Sequence, residues 1–308
     1  MSYVLGPNQY GKAENRVVRL YRDSARHEIR DLNVSTSLRG DFRAAHETGD
    51  QANVLPTDTQ KNTAFAFAKE HGVTSPEDYA LTLGARFLDV TPAAAASRIE
   101  VEEYAWDRIE VGGSGHDHAF VKRGSEARST VVTRARSAQD PDQTKAWVVS
   151  GVKDLVVLKS TGSEFKGFLK DEYTTLQETD DRILATSLVA RWRYEDDTVA
   201  GGIDWNKSFE DIRQVMLETF ATTYSRALQE SLYAMGSAVL EAHPEVAEVK
   251  FSAPNKHHFL VDLSPFGLDN PGEVFVAADR PYGLIEATVQ REDASDPGDA
   301  WLTVPGFC

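Results

Sequence analysis

Residues 208–239, SFEDIRQVMLETFATTYSRALQESLYAMGSAV, carry the clearest periodic signal in this 308-residue chain. Phe209, Ile212, Val215, Met216, Thr219 and Phe220 recur at i, i+3 and i+4, and Tyr224, Leu228, Leu232, Met235 and Val239 continue the stripe. That spacing predicts a helical region whose apolar face is core, with Ser208 and Asp211 as a capping pair at its start. An unbroken helix of this length is long for a globular domain, so a break near 223–225 predicts two helices.

Strand-like stretches flank the helical region. Residues 146–160 and 183–195 precede it, and 248–263, 273–277 and 284–291 follow it. The first half of the chain has the same order. Residues 15–22 and 26–38 read as a hairpin closed at RDSAR, and 59–71 read as a helix stopped by Gly72. A second helix begins at Ser75, with Pro76 at its first position. Residues 98–111 and 120–138 return to strand composition across the glycine-rich connector GGSGHDH, and AQDPDQT marks a boundary near 140. Two domains, 1–143 and 144–308, fit both the repeat and the length. Strands flanking a helix pair, twice over, predict an α+β protein with antiparallel sheets rather than alternating βαβ units. The open sheet edges predict oligomerisation.

Composition removes several classes of partner. With 48 acidic and 33 basic residues the net charge is −15, a repulsive field for nucleic acid and for anionic lipid. A small anion remains possible where a few donors converge, because screening limits the distant field. No apolar run reaches membrane-spanning length. The single cysteine, Cys308, leaves no internal disulfide or multi-cysteine metal site, which suits a reducing cytoplasm. The start of the chain lacks a basic-then-apolar leader, and the closing GFC is no peroxisomal address.

Chemistry concentrates in a few segments. In LVVLKSTGSEFKGFLKDEYTTLQETDDRIL, 155–184, an apolar strand feeds a polar stretch with Phe165, Phe168 and Tyr173 before Arg182. Aromatic faces stack on planar heterocycles, and a guanidinium holds two acceptors bidentately. The plainer alternative makes the aromatics core and pairs Arg182 with Asp180 or Asp181. In LPTDTQKNT, Thr57 and Asp58 precede a helix whose free N–H groups favour anionic or oxygen-rich ligands, unless Asp58 is an ordinary N-cap. Lys12 in QYGKAENR is either a solvated charge or, if desolvated, a base. Gln229 stands on the shoulder of the helical stripe, solvated or aimed at a neighbouring site. In SAPNKHHFLVDL, 252–263, strand alternation puts Asn255, His257 and Phe259 on one face and His258 on the other, so the adjacent histidines cannot grip one metal. The HDH at 116–118 has strand spacing for a metal but no third ligand at a recognisable offset.

Together these segments resemble urate oxidase, the cofactor-free uricase family. Residues 155–182 resemble the family signature over its full length. YGK at 10–12, TDTQKNT at 57–63, HDHAF at 116–120, PNKHHF at 254–259 and PYGLIEATVQR at 281–291 follow in the family's order. TPAAAAS at 91–97, the glycine connector at 112–115 and RYEDDTVAGGIDW fall outside the family's pattern and read as loop variation.

The resemblance implies two tandem tunnelling-fold domains, each an antiparallel sheet backed by two helices, in a homotetrameric barrel with active sites between subunits. It implies urate and dioxygen as substrates, 5-hydroxyisourate and hydrogen peroxide as products, and neither metal nor organic cofactor. By position, Phe165 would stack on the purine while Arg182 and Gln229 clamp its polar edge. The N–H groups of Asp58 and Leu228 would contact the ring, and Leu176 would line the pocket. Lys12, Thr57 and His257 would form a proton relay, and Asn255 would hold dioxygen or water above the ring, opposite Thr57. The ending GFC suggests a bacterial, cytoplasmic version. Two other readings stay open: a zinc-dependent purine or pterin enzyme of the same fold, and an acidic oligomeric binding or scaffold protein.

Overall fold

A computed structural model describes residues 3–302, so Cys308 and the terminal GFC lie outside the described residues. The chain divides into two compact units. The first runs to Gly151 and takes in Trp192–Phe209 and the described residues from Asp293; the second comprises Val152–Arg191 and Glu210–Glu292.

In the first unit, β1 (Tyr10–Tyr21), β2 (Glu28–Gly40), β3 (Ala94–Val111) and β4 (Ser114–Arg136) pair antiparallel in chain order. A short helix α1 (Arg43–Glu47), which the sequence did not announce, precedes the pair α2 (Thr57–Glu70) and α3 (Pro76–Val90). The helix starts and stops follow the residues. The Ser75 hydroxyl accepts the Asp78 N–H at 3.0 Å, Pro76 fills the first helical position, and Gly72 takes the φ of +76° that ends the α2 region. Tyr79, Leu83 and Phe87 of α3 are buried, as are Ile99, Val101 and Val132 of the sheet. Each such side chain contributes roughly 1.5–3 kcal/mol.

β5 (Thr144–Lys159) and β6 (Leu184–Tyr194) run across the division between the units. After β6 comes a short helix α4 (Asp196–Gly201), then α5 (Trp205–Thr222), α6 (Leu228–Ala242), β7 (Val246–Leu260) and β8 (Phe275–Gln290), with β7 and β8 antiparallel. Ile212, Met216, Phe220, Leu228, Leu232, Met235 and Val239 are buried, as their spacing predicts. α6 passes close to its sheet at Gly236, where a Cβ would lie 2.5 Å from Val289 Cγ2.

Five expectations need correction. Ser208 does not cap α5; the helix begins at Trp205, Asp204 Oδ1 accepts the Lys207 N–H at 3.0 Å, and Ser208 is buried with its hydroxyl 3.1 Å from Tyr194. Tyr224 is not core. It lies in the break between α5 and α6, exposed, and donates to Glu164 Oε2 at 2.9 Å. The turn between β3 and β4 is only Gly112–Gly113, both at positive φ, so His116 and His118 already belong to β4. Ala94–Ser97 likewise opens β3 rather than forming a loop. The last two predicted strands are one strand, β8, which tolerates Pro281 because the register breaks between Ala278 and Gly283 and no ladder N–H is required there.

Glu77, in the first turn of α3, is fully buried. Arg128 Nη2 donates to its Oε2 at 2.5 Å, and Thr130 Oγ1 and Ser150 Oγ donate to its Oε1 at 2.8 and 2.5 Å. Arg128 Nη1 also donates to Asn206 Oδ1 at 2.7 Å. Removing one partner from a buried pair strands the other charge. Arg128→Met should therefore lower the free energy of unfolding by about 3–5 kcal/mol in urea titrations. Adding Glu77→Gln should recover much of that loss; if the single substitution is neutral, the pair is not what secures α3.

Candidate active site

In the second unit the chain leaves β5 for a 24-residue segment, 160–183, with no helix or strand of its own. Backbone groups there still need partners, and the turn between α5 and α6 supplies them. Ser225 N–H donates to Gly162 O at 3.0 Å, and Glu164 N–H donates to Ser225 O at 2.9 Å. Phe165 and Thr179 exchange two N–H···O bonds at 2.9 and 3.0 Å, and Arg182 N–H donates to Ser163 O at 2.8 Å. Beneath them lie three buried hydroxyls: Ser231 Oγ donates to Ser225 Oγ at 2.8 Å, and Ser163 Oγ accepts from Arg182 Nε at 3.3 Å. These serines carry no periodic signal, so the sequence did not mark them as part of the site.

The segment therefore brings Phe165 and Arg182 together. The guanidinium carbon lies 5.2 Å from the Phe165 ring centroid. The alternative pairing of Arg182 with its acidic neighbours is not what forms: Lys166 takes Asp180 at 2.5 Å and Thr161 takes Asp181 at 3.0 Å. Burial pulls the Arg182 guanidinium below its ordinary value, yet an arginine stays cationic at neutral pH. A cation with its Nε occupied by a neutral hydroxyl and its plane over an aromatic ring suits a planar anion.

Leu228 opens α6 and is buried, and Gln229 beside it is exposed. The N-cap position is Ala227, whose side chain accepts nothing, so the first N–H groups of α6 have no capping side chain. Leu176 is 57% exposed on the connecting segment. On β7, the register shifts between Asn255 and His257; the His257 ring stacks with Phe259 at 5.7 Å, as a shared strand face requires. His258 Nδ1 contacts Lys256 O at 3.2 Å instead. An open cleft of about 500 Å³ in this unit, lined by residues such as Leu158, Lys159, Phe220 and Tyr224, contains none of the candidate residues.

The first unit holds Lys12, Thr57 and Asp58. Thr57 is half-buried at the first position of α2, whose N-cap is Pro56, so this helix start also lacks a capping side chain. Asp58 is not the N-cap but the second helical residue, where its carboxylate complements the helix dipole. Its oxygens take Lys61 at 2.5 Å and Asn62 at 2.9 Å. Lys61 chiefly holds the Asp58 carboxyl below its usual range, with a smaller contribution from the charge of Lys12. Lys12 is half-buried on β1, just before a bulge. On β4 the rings of His116 and His118 meet at 4.5 Å, with His27 at 5.9 Å from His118. Among the described residues no three His, Cys, Asp or Glu side chains form a group that could hold a metal ion.

With this geometry in place, comparison with known proteins is specific. The family model described as uricase matches residues 8–133 and 148–286. The uricase of Arthrobacter globiformis is 53% identical over 305 residues, covering 99% of this chain and 96% of that protein. The uricase of Dictyostelium discoideum is 37% identical, covering 92% and 96% respectively. The crystal structure of the Arthrobacter globiformis uricase superimposes with a TM-score of 0.89 at 51% identity, covering 98% of this chain and 99% of that one. The α+β tunnelling fold expected from the sequence is therefore the fold of this chain, which belongs to the uricase family.

Proposed function

We propose that this chain is a urate oxidase, converting urate, dioxygen and water to 5-hydroxyisourate and hydrogen peroxide without metal or organic cofactor. The observation that carries the reading is the Arg182 guanidinium over the Phe165 ring, in a segment that resembles the family signature. Phe165 stacks on the purine, Arg182 and Gln229 hold its polar edge, and Leu176 lines the pocket. The N–H groups of Asp58 and Leu228 lie in the first turns of two helices without capping side chains, where the positive end of the dipole favours an anionic ring.

Urate becomes electron-rich on losing a second proton, and the resulting dianion reduces dioxygen in one-electron steps that avoid the spin barrier to direct reaction. The protein's work is to remove that proton, hold the ring and exclude water. Lys12 acts through Thr57 and His257 as the base. Asn255 holds dioxygen, and later the attacking water, over the ring opposite Thr57.

The functional unit in this reading is a cytoplasmic homotetramer of two-domain chains, divided near residue 143. Thr57 and Asp58 come from one chain, and most of the other site residues come from its neighbour. Support comes from exposed apolar side chains on strands of the second unit, among them Val156, Leu158, Val276 and Leu284. An apolar surface of this kind is ordinarily covered by another chain.

Loss of urate absorbance and release of peroxide measure turnover directly. Lys12→Met and Thr57→Ala should each lower kcat by about 10²-fold or more, with little change in KM, because proton transfer is lost while the ring is still held. Full turnover in both would remove the relay from the mechanism. Arg182→Ala should instead raise KM, by roughly tenfold to a hundredfold, the worth of a charged hydrogen bond. Co-refolding Thr57→Ala chains with Arg182→Ala chains should regain activity well above either parent, because mixed interfaces contain sites built from two intact halves. Absence of complementation would place the whole site within one chain.

A further inference from the structure

Lys12 occupies an irregular point in the first unit. The pairing of β1 with β2 shifts register between Lys12 and Asn15, and Glu14 adopts a φ of +55°. Gly11 crosses β2 so closely that a Cβ would lie 1.7 Å from the Thr36 carbonyl oxygen, which only glycine permits. At Lys12 a side chain takes part in the bonding between the strands. The Lys12 N–H donates to the Thr36 hydroxyl at 3.3 Å, and that hydroxyl donates to Gln60 Oε1 at 2.8 Å. Gln60 is fully buried in α2, and its Nε2 donates to Leu55 O at 3.3 Å, two residues before Thr57.

A hydroxyl has one proton, so the chain of bonds has one direction: Lys12 N–H to Thr36, Thr36 O–H to Gln60, Gln60 N–H to Leu55. Each link joins a different element, β1 to β2, β2 to α2, and α2 to the loop that feeds its own start. Breaking it leaves a buried amide oxygen without its hydrogen bond, so the arrangement resists displacement. What it fixes is the main chain of Lys12 relative to the first turn of α2, where Thr57 and Asp58 stand.

We propose that Thr36 and Gln60 are positioning residues for the oxidation of urate: they touch neither substrate nor dioxygen, and they set the separation between Lys12 and Thr57. The inference rests on the relay reading given above. Proton transfer is steep in distance, and a misplacement of about 1 Å costs on the order of a hundredfold in rate.

Thr36→Val keeps the shape of the side chain and removes the hydroxyl. It should lower kcat on the order of tenfold, while KM for urate stays within about twofold because Phe165 and Arg182 are untouched. Thr36→Ser, which restores the hydroxyl, should return most of the rate, a recovery that simple loss of packing would not give. Gln60→Met carries the same expectation and serves if the valine variant does not fold. Unchanged kcat in the folded variants, a loss confined to KM, or a serine variant as slow as the valine one overturns the proposal. Lys12→Met, run in parallel, separates the two levels. If it is inactive while Thr36→Val is fully active, only the positioning role fails; if it is itself fully active, the relay fails and the positioning role with it.

Discussion

A polar group taken out of water must find a partner, and the candidate site is organised by that requirement more than by regular secondary structure. The segment between β5 and β6 is held in one conformation because its N–H and C=O groups are met by the turn between α5 and α6. Ser163, Ser225 and Ser231 have their hydroxyls buried with partners, and one of them orients Arg182. The same requirement anchors α3, where a fully buried carboxylate collects an arginine and two hydroxyls. It also links Lys12 to α2 through a threonine and a glutamine. In each case a buried charge or amide is tolerated because it is paired, and each pairing fixes the relative position of two elements rather than adding much net stability.

Electrostatics works against the average charge of the chain. A protein of net charge −15 repels an anion at long range, yet the candidate residues supply a partly desolvated guanidinium and two helix starts without capping side chains. Field from such groups acts over a few ångströms, within the screening length, whereas the diffuse surface charge is screened. Pro56 and Ala227 stand at the N-cap positions of α2 and α6, so the first N–H groups of both helices are left without a capping side chain.

Sequence alone determined what short-range physics encodes. The apolar stripe of α5 and α6, the break between them, the Ser75–Pro76 start and the Gly72 stop depend on periodicity and on φ preferences that each residue carries with it. The family resemblance was legible because motifs such as those at 57–63 and 155–182 are contiguous. Tertiary structure alone decided where a residue's partner lies far along the chain. Ser208 looks like a cap until Tyr194 claims its hydroxyl, and Tyr224 looks like core until Glu164 holds it in a turn. Asp180 and Asp181 look like partners for Arg182 until Lys166 and Thr161 take them. Thr36 and Gln60 look like unremarkable strand and helix residues until the Thr36 hydroxyl is found bonded both to the Lys12 N–H and to the Gln60 amide oxygen. Periodicity reports which face a side chain occupies; it has no access to which polar atom, dozens of residues away, competes for the same hydrogen bond.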